Sequence, residues 1–143
     1  MLQRFIWTDE LKVGVPTIDV QHKELVATVN DLAVSIEEGK GSSFLKKLLT
    51  FMKYYAEWHF EQEESCAAAH QCPAAEMNCK AHAEFVRLFE ELQQQYRQDP
   101  ANESLPEIIH KKLADWLVNH IMKVDKQIGR HICARQAAGS SIN

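Results

Sequence analysis

An all-α fold, an up-down-up-down antiparallel four-helix bundle preceded by an extended N-terminal arm, is predicted by three features of the sequence. Four segments carry apolar residues at steps of three and four, the spacing that lines one face of a helix. The connections between them are short and marked by Gly39 and Gly41, by Pro73 and by Asp99-Pro100, and short connections favour antiparallel neighbours. In each segment the inward stripe turns polar near one end, and in an antiparallel bundle those four ends coincide.

The arm, residues 1–17, holds Gly14 and Pro16 among scattered apolar positions (Phe5, Ile6, Trp7, Leu11, Val13), a pattern of chain laid against a domain. The first helix is expected over 19–38, with Asp19 as its N-cap and Gly39 and Gly41 as its stop. Leu25, Val29, Leu32 and Ile36 form its stripe, and His22 falls on the same stripe and so points inward. The second helix is expected over 43–69, capped by Ser42 or Ser43 and broken before Pro73. Its stripe through Leu45, Leu48, Met52 and Tyr55 ends in His59, Glu63, Cys66 and His70.

The third helix is expected over 73–98, since Pro73 is tolerated at the first helical position and Glu76 is favourable in the first turn. Its inward residues are Asn78, His82, Phe85, Phe89, Leu92 and Tyr96. The fourth is expected over 104–126, where Ser104 and Glu107 have capping-box spacing. Ile109, Leu113, Trp116, His120 and Ile121 form its stripe, with Asp125 just beyond. The small, polar segment 134–143 is expected to be a flexible tail.

A chain of 143 residues is most simply one domain, 1–143, able to bury about two thirds of its unfolded surface without disulfides. The net charge of −4, with no Lys/Arg cluster, argues against a nucleic-acid partner. No run of 18 apolar residues exists to span a membrane, and the N-terminus lacks the apolar run of a signal peptide, so a cytoplasmic location is expected. In that compartment Cys66, Cys72, Cys79 and Cys133 are expected to be free thiols, and their spacing does not match the paired C-x-x-C of zinc modules.

The polar ends of the four stripes carry His22, His59 with Glu63, Asn78 with His82, and His120 with Asp125. One inward histidine is most often a hydrogen-bonded core residue. Four histidines and two carboxylates at a common height are different, because without an ion they would place two carboxylates in a low-dielectric site with no inward Lys or Arg to compensate. A metal is therefore expected. Imidazole and carboxylate suit iron, zinc or manganese, and six candidates are too many for one tetrahedral zinc, so a dinuclear site is the natural count.

At this point the chain resembles the bacterial hemerythrins. The resemblance is carried by Trp7, by Gly14, by Ile18-Asp19-Val20-Gln21-His22-Lys23, by His59-Phe60-x-x-Glu63-Glu64, by His82-x-x-Phe85, and by Trp116-Leu117-x-x-His120-Ile121-x-x-x-Asp125, over residues 7–125. It implies two non-haem iron ions, bridged by carboxylates, that bind O2 reversibly. Carried over by position, His22 and His59 would ligate the O2-binding iron, His82 and His120 the other, and Glu63 and Asp125 both. By the same resemblance Phe60, Leu117 and Ile121 would line a dry O2 pocket, although ordinary core packing explains their positions equally well. One position departs: the family has a histidine four residues before the one matched by His82, and here that residue is Asn78, whose amide oxygen is a weaker ligand for iron.

Three ways of completing the second iron's shell follow. Asn78 or water fills it, Cys79 or another nearby group swings in, or the second metal binds weakly; the first is favoured because Cys79 lies about 100° around the helix from Asn78. His70, about 10 Å further along the axis, and Cys66 are expected to be packing or surface residues. Three functions are in view. An O2-binding protein for carriage, storage or sensing leads, with O2 as partner and no protein partner indicated. A di-iron enzyme acting on peroxide, nitric oxide or ferrous iron is the alternative that Asn78 motivates. A bundle with a vestigial centre is third.

Overall fold

The stripes of apolar residues meet in one core. The computed structural model describes residue 2 and residues 4–142, the side chains of 137–142 excepted. After a 3-10 turn at Asp9–Leu11 come α1 (Pro16–Glu37), α2 (Gly41–Ala69), α3 (Ala75–Gln98), α4 (Leu105–His120), a π turn (Ile121–Asp125) and α5 (Lys126–Ile142). The helices α1 to α4 pack against one another as the antiparallel bundle that the short connections require. Leu32, Leu45, Leu48, Leu92, Ile109 and Leu113 are fully enclosed at its centre. Each such side chain contributes about 1.5–3 kcal/mol through apolar burial.

The helix starts differ from the expected caps. Helix α1 begins at Pro16, whose fixed φ and missing N–H suit the first helical position, so Val15 rather than Asp19 is the N-cap. Asp19 instead ties the arm to the first turn of α1, its carboxylate accepting the N–H groups of Val13 at 2.7 Å and Gly14 at 3.2 Å. Lys40 caps α2, and the Ser43 hydroxyl donates to the Lys40 carbonyl. Helix α3 starts after a turn in which Gln71 has φ +51°, which moves its first residue from Pro73 to Ala75. Ser104 is the N-cap of α4, but its hydroxyl makes no capping bond, and its own N–H is held by the Asn102 side chain at 2.9 Å.

The arm is tied to α1 at Arg4 and Phe5. Phe5 and Asn30 exchange two hydrogen bonds, Phe5 N–H to Asn30 Oδ1 at 2.9 Å and Asn30 Nδ2 to the Phe5 carbonyl at 2.7 Å. Arg4 pairs with Glu37. Beyond the expected end at 126, the chain continues as α5, which buries Ile128 and Ile132. The expected tail falls largely on residues outside the described side chains; Ala134, Arg135 and Gln136 continue α5 and are exposed. Cys66, Cys72, Cys79 and Cys133 are free thiols. Among the described residues, no helix is long and apolar enough to cross a membrane.

The arm crosses α5 at Gly129, where a Cβ would lie 2.0 Å from the Val13 carbonyl oxygen. In an open helix Gly→Ala gains about 0.5–1 kcal/mol, but forcing backbone apart in a packed interface costs about 1–3 kcal/mol, so the clash decides the sign. Gly129→Ala is expected to lower the thermal midpoint measured by circular dichroism, and an unchanged or raised midpoint would show that the arm is not seated on α5.

Candidate metal centre

Four helices deliver polar side chains to one height in the bundle. Helix α1 supplies His22, α2 supplies His59 and Glu63 one turn apart, and α3 supplies Asn78 and His82, also one turn apart. From the fourth segment come His120, the last residue of α4, and Asp125, the last residue of the π turn. All seven are buried, with 6% exposure at most. The structure thus brings together every residue of the sequence-derived set, Asn78 included.

The π turn is what allows the last pair. At about 100° per residue, a regular α-helix would place Asp125 about 140° around the axis from His120. The π turn instead has the Lys126 N–H donating to the Ile121 carbonyl five residues back, a pattern that returns residues five apart to one face. The outcome is His120 Nε2 at 3.0 Å from Asp125 Oδ1. Residue identity gave no signal of this device.

Two groups of donor atoms result, one of His22, His59 and Glu63, the other of Glu63, His82, His120 and Asp125. The carboxylates span both. Glu63 Oε2 lies 3.2 Å from His22 Nε2 and 3.4 Å from His59 Nε2, while its Oε1 lies 3.2 Å from His82 Nε2. Asp125 Oδ2 lies 3.0 Å from His22 Nε2, and its Oδ1 faces His120. On the second side His120 Nε2 also stands 3.1 Å from both His82 Nε2 and Asn78 Oδ1.

Hydrogen bonds alone do not explain this arrangement. His120 Nε2 faces three acceptors, yet an imidazole nitrogen carries one proton at most. Glu63 Oε1, both Asp125 oxygens and Asn78 Nδ2 are buried without a well-directed hydrogen bond. Ligand atoms about 2.1 Å from a shared ion and at right angles lie about 3 Å apart, which is the spacing found here. The donor set therefore fits metal ions.

Electrostatics point the same way. Burial lowers the His22 imidazole, but the flanking Asp125 and Glu63 carboxylates outweigh it and raise its pKa to about 9. Burial also lowers His59, and the neighbouring His22 charge lowers it further. Glu63 would be raised by burial, yet His22, His59 and His82 hold it well below the usual carboxylate range. Among the described residues no Lys or Arg is buried, so protonated His22 is the site's main counter-charge.

Neighbours hold the imidazoles in place. The Gln21 side-chain oxygen lies 2.6 Å from His59 Nδ1 and accepts its proton, which turns Nε2 inward. The Phe60 ring stacks on His82 at 3.9 Å and the Trp116 ring on His120 at 4.5 Å. Phe60 and Leu117 also line a small apolar cavity against His22, His59, His120 and Asp125, whereas Ile121, expected beside them, is fully buried in the π turn and is not among the residues lining it. Stripe periodicity does not single out Gln21; its place immediately before His22 is the one signal the sequence holds.

The remaining polar residues lie elsewhere. Cys79 is exposed, and Glu64 beside it pushes its thiol up to about 11, which disfavours the thiolate a metal would need. His70 donates from Nδ1 to the Cys66 carbonyl at 2.9 Å, and its own carbonyl accepts from His131 Nε2 at 2.9 Å.

Comparison with known proteins agrees with this geometry. Residues 13–132 match the family described as the hemerythrin HHE cation binding domain. The chain is 27% identical to a bacteriohemerythrin of Pseudomonas aeruginosa over 124 residues, covering 87% of this chain and 78% of that one. It is 31% identical to the bacteriohemerythrin of Methylococcus capsulatus, covering 86% and 92%, and 24% identical to that of Clostridium acetobutylicum, covering 86% and 97%. With four helices converging on two groups of side chains that could hold a metal ion, and a family match over residues 13–132, this chain belongs to the hemerythrin family.

Proposed function

We propose that the chain binds O2 reversibly at two non-haem iron ions, in O2 carriage, storage or sensing. The single observation that carries the reading is that Glu63 and Asp125 each turn one oxygen to each histidine group. His22 and His59 would hold one ion and His82 and His120 the other, with Glu63 and Asp125 shared. When bound, ferrous ions supply the electrons and the coordination position that reversible O2 binding needs. The protein's part is charge balance and exclusion of water: the carboxylates would offset the charge of the ions, and the apolar cavity beside His22 and His59 would keep water and protons from the centre.

Asn78 would complete the His82–His120 side through its amide oxygen, leaving Nδ2 as a buried donor beside the centre. That donor also favours the second reading, an enzyme acting on peroxide, nitric oxide or ferrous iron, because it could hydrogen-bond a ligand at that ion. The test is anaerobic loading with ferrous iron followed by air. About two irons per chain and charge-transfer bands that vanish on deoxygenation are expected. Irreversible bleaching with consumption of peroxide or nitric oxide would favour the enzyme.

Asn78→His is expected to tighten iron retention on that side by about tenfold and to slow autoxidation, measured by chelator challenge and by the decay of the oxygenated spectrum. No change in either would mean that Asn78 is not part of the shell.

The raised pKa of His22 sets a proton linkage. Below pH about 9 the metal-free site holds a proton on His22 that a ligated imidazole cannot keep, so metal binding at pH 7 releases protons and tightens as pH rises toward 9. Titration calorimetry in two buffers of different ionisation enthalpy is expected to give different apparent heats. Equal heats would contradict a protonated His22.

A further inference from the structure

Two cavities meet where α2 packs on α3, the inner one enclosed by all four bundle helices and the outer one lying between α2 and α3. The inner one, about 10 Å³ of space for the centre of a water-sized molecule, touches His22, His59, His120 and Asp125 and is otherwise apolar. The outer one, about 40 Å³ by the same measure, opens to the surface between Lys53, Glu57 and Glu90, all exposed. Both are lined by the same four residues, Met52, Ala56, Phe60 and Phe85, which form the wall between them.

The composition of that wall has a physical consequence. Met52, Ala56 and Phe60 stand at successive turns of one face of α2, so the alanine is a notch between two large side chains. Met52 has an adaptable unbranched side chain. An ion crossing this wall would have to shed its hydration shell among apolar groups, whereas an uncharged diatomic loses little.

We propose that the Ala56 notch is the passage through which a small uncharged apolar molecule reaches the metal centre from the surface between α2 and α3, with Met52, Phe60 and Phe85 as its gate. That the molecule is O2 rests on the proposed function; the passage itself does not. The charged rim of Lys53, Glu57 and Glu90 keeps the mouth open to water, and the apolar wall sets the selection for neutral ligands.

The notch makes the passage testable by filling it. In protein loaded with diamagnetic zinc, dissolved O2 serves as a paramagnetic probe of methyl relaxation, read without any reaction at the metal. Enhancement is expected at Met52, at Ala56 and, inside the wall, at Val29, which lines the inner cavity. In Ala56→Phe the enhancement at Val29 is expected to be lost; Ala56→Leu serves if the larger side chain prevents folding. In the iron-loaded variant O2 association is expected to slow on the order of tenfold at unchanged iron content.

No enhancement at Val29 in the unaltered protein, or an enhancement that survives filling of the notch, would overturn the passage. A changed affinity with unchanged association rate would also overturn it. If the ferrous protein fails to bind O2 reversibly while the relaxation pattern follows Ala56, the passage stands and the proposed function falls.

Discussion

Two carboxylates buried side by side in an apolar bundle are the groups that this fold must compensate. Glu63 and Asp125 have 1% and 2% exposure, and no buried Lys or Arg accompanies them among the described residues. In the metal-free protein the protonated His22, 3.2 Å from Glu63 Oε2 and 3.0 Å from Asp125 Oδ2, is their main counter-charge in a low-dielectric site. Cations of charge two would convert this liability into binding energy, and the imidazoles around the carboxylates are of the type and spacing that would complete their coordination.

The architecture follows from bringing these groups to one height. An antiparallel bundle places the starts of α1 and α3 and the ends of α2 and α4 at the same level, so one or two side chains from each helix suffice. The last pair needs more, since His120 and Asp125 are not in register on an α-helix, and the π turn supplies the correction. Stacking by Phe60 and Trp116, with the Gln21 hydrogen bond, fixes three of the four imidazoles before any ion arrives. The site is thereby preorganised by packing and hydrogen bonds outside the proposed ligands.

Much of this was legible from residue pattern alone. Periodicity of three and four exposed the stripes, and the polar ends of the stripes exposed His22, His59, Glu63, Asn78, His82 and His120 with no three-dimensional information. What was not legible depends on local backbone geometry. Asp19 looks like a cap, but Pro16 starts the helix earlier and frees Asp19 to hold the arm. Asp125 looks one step off the stripe, because periodicity assumes an α-helix and the π turn breaks that assumption. Ala56 gives no signal in sequence, since a small residue in an apolar stripe shows its use only when the two cavities it separates are seen.

The most direct test of the central claim is anomalous diffraction at the iron absorption edge from crystals of the protein loaded anaerobically with ferrous iron. Two anomalous peaks are predicted, one between His22 and His59 and one between His82 and His120, each in contact with both Glu63 and Asp125. A single peak, or peaks away from these carboxylates, would contradict it.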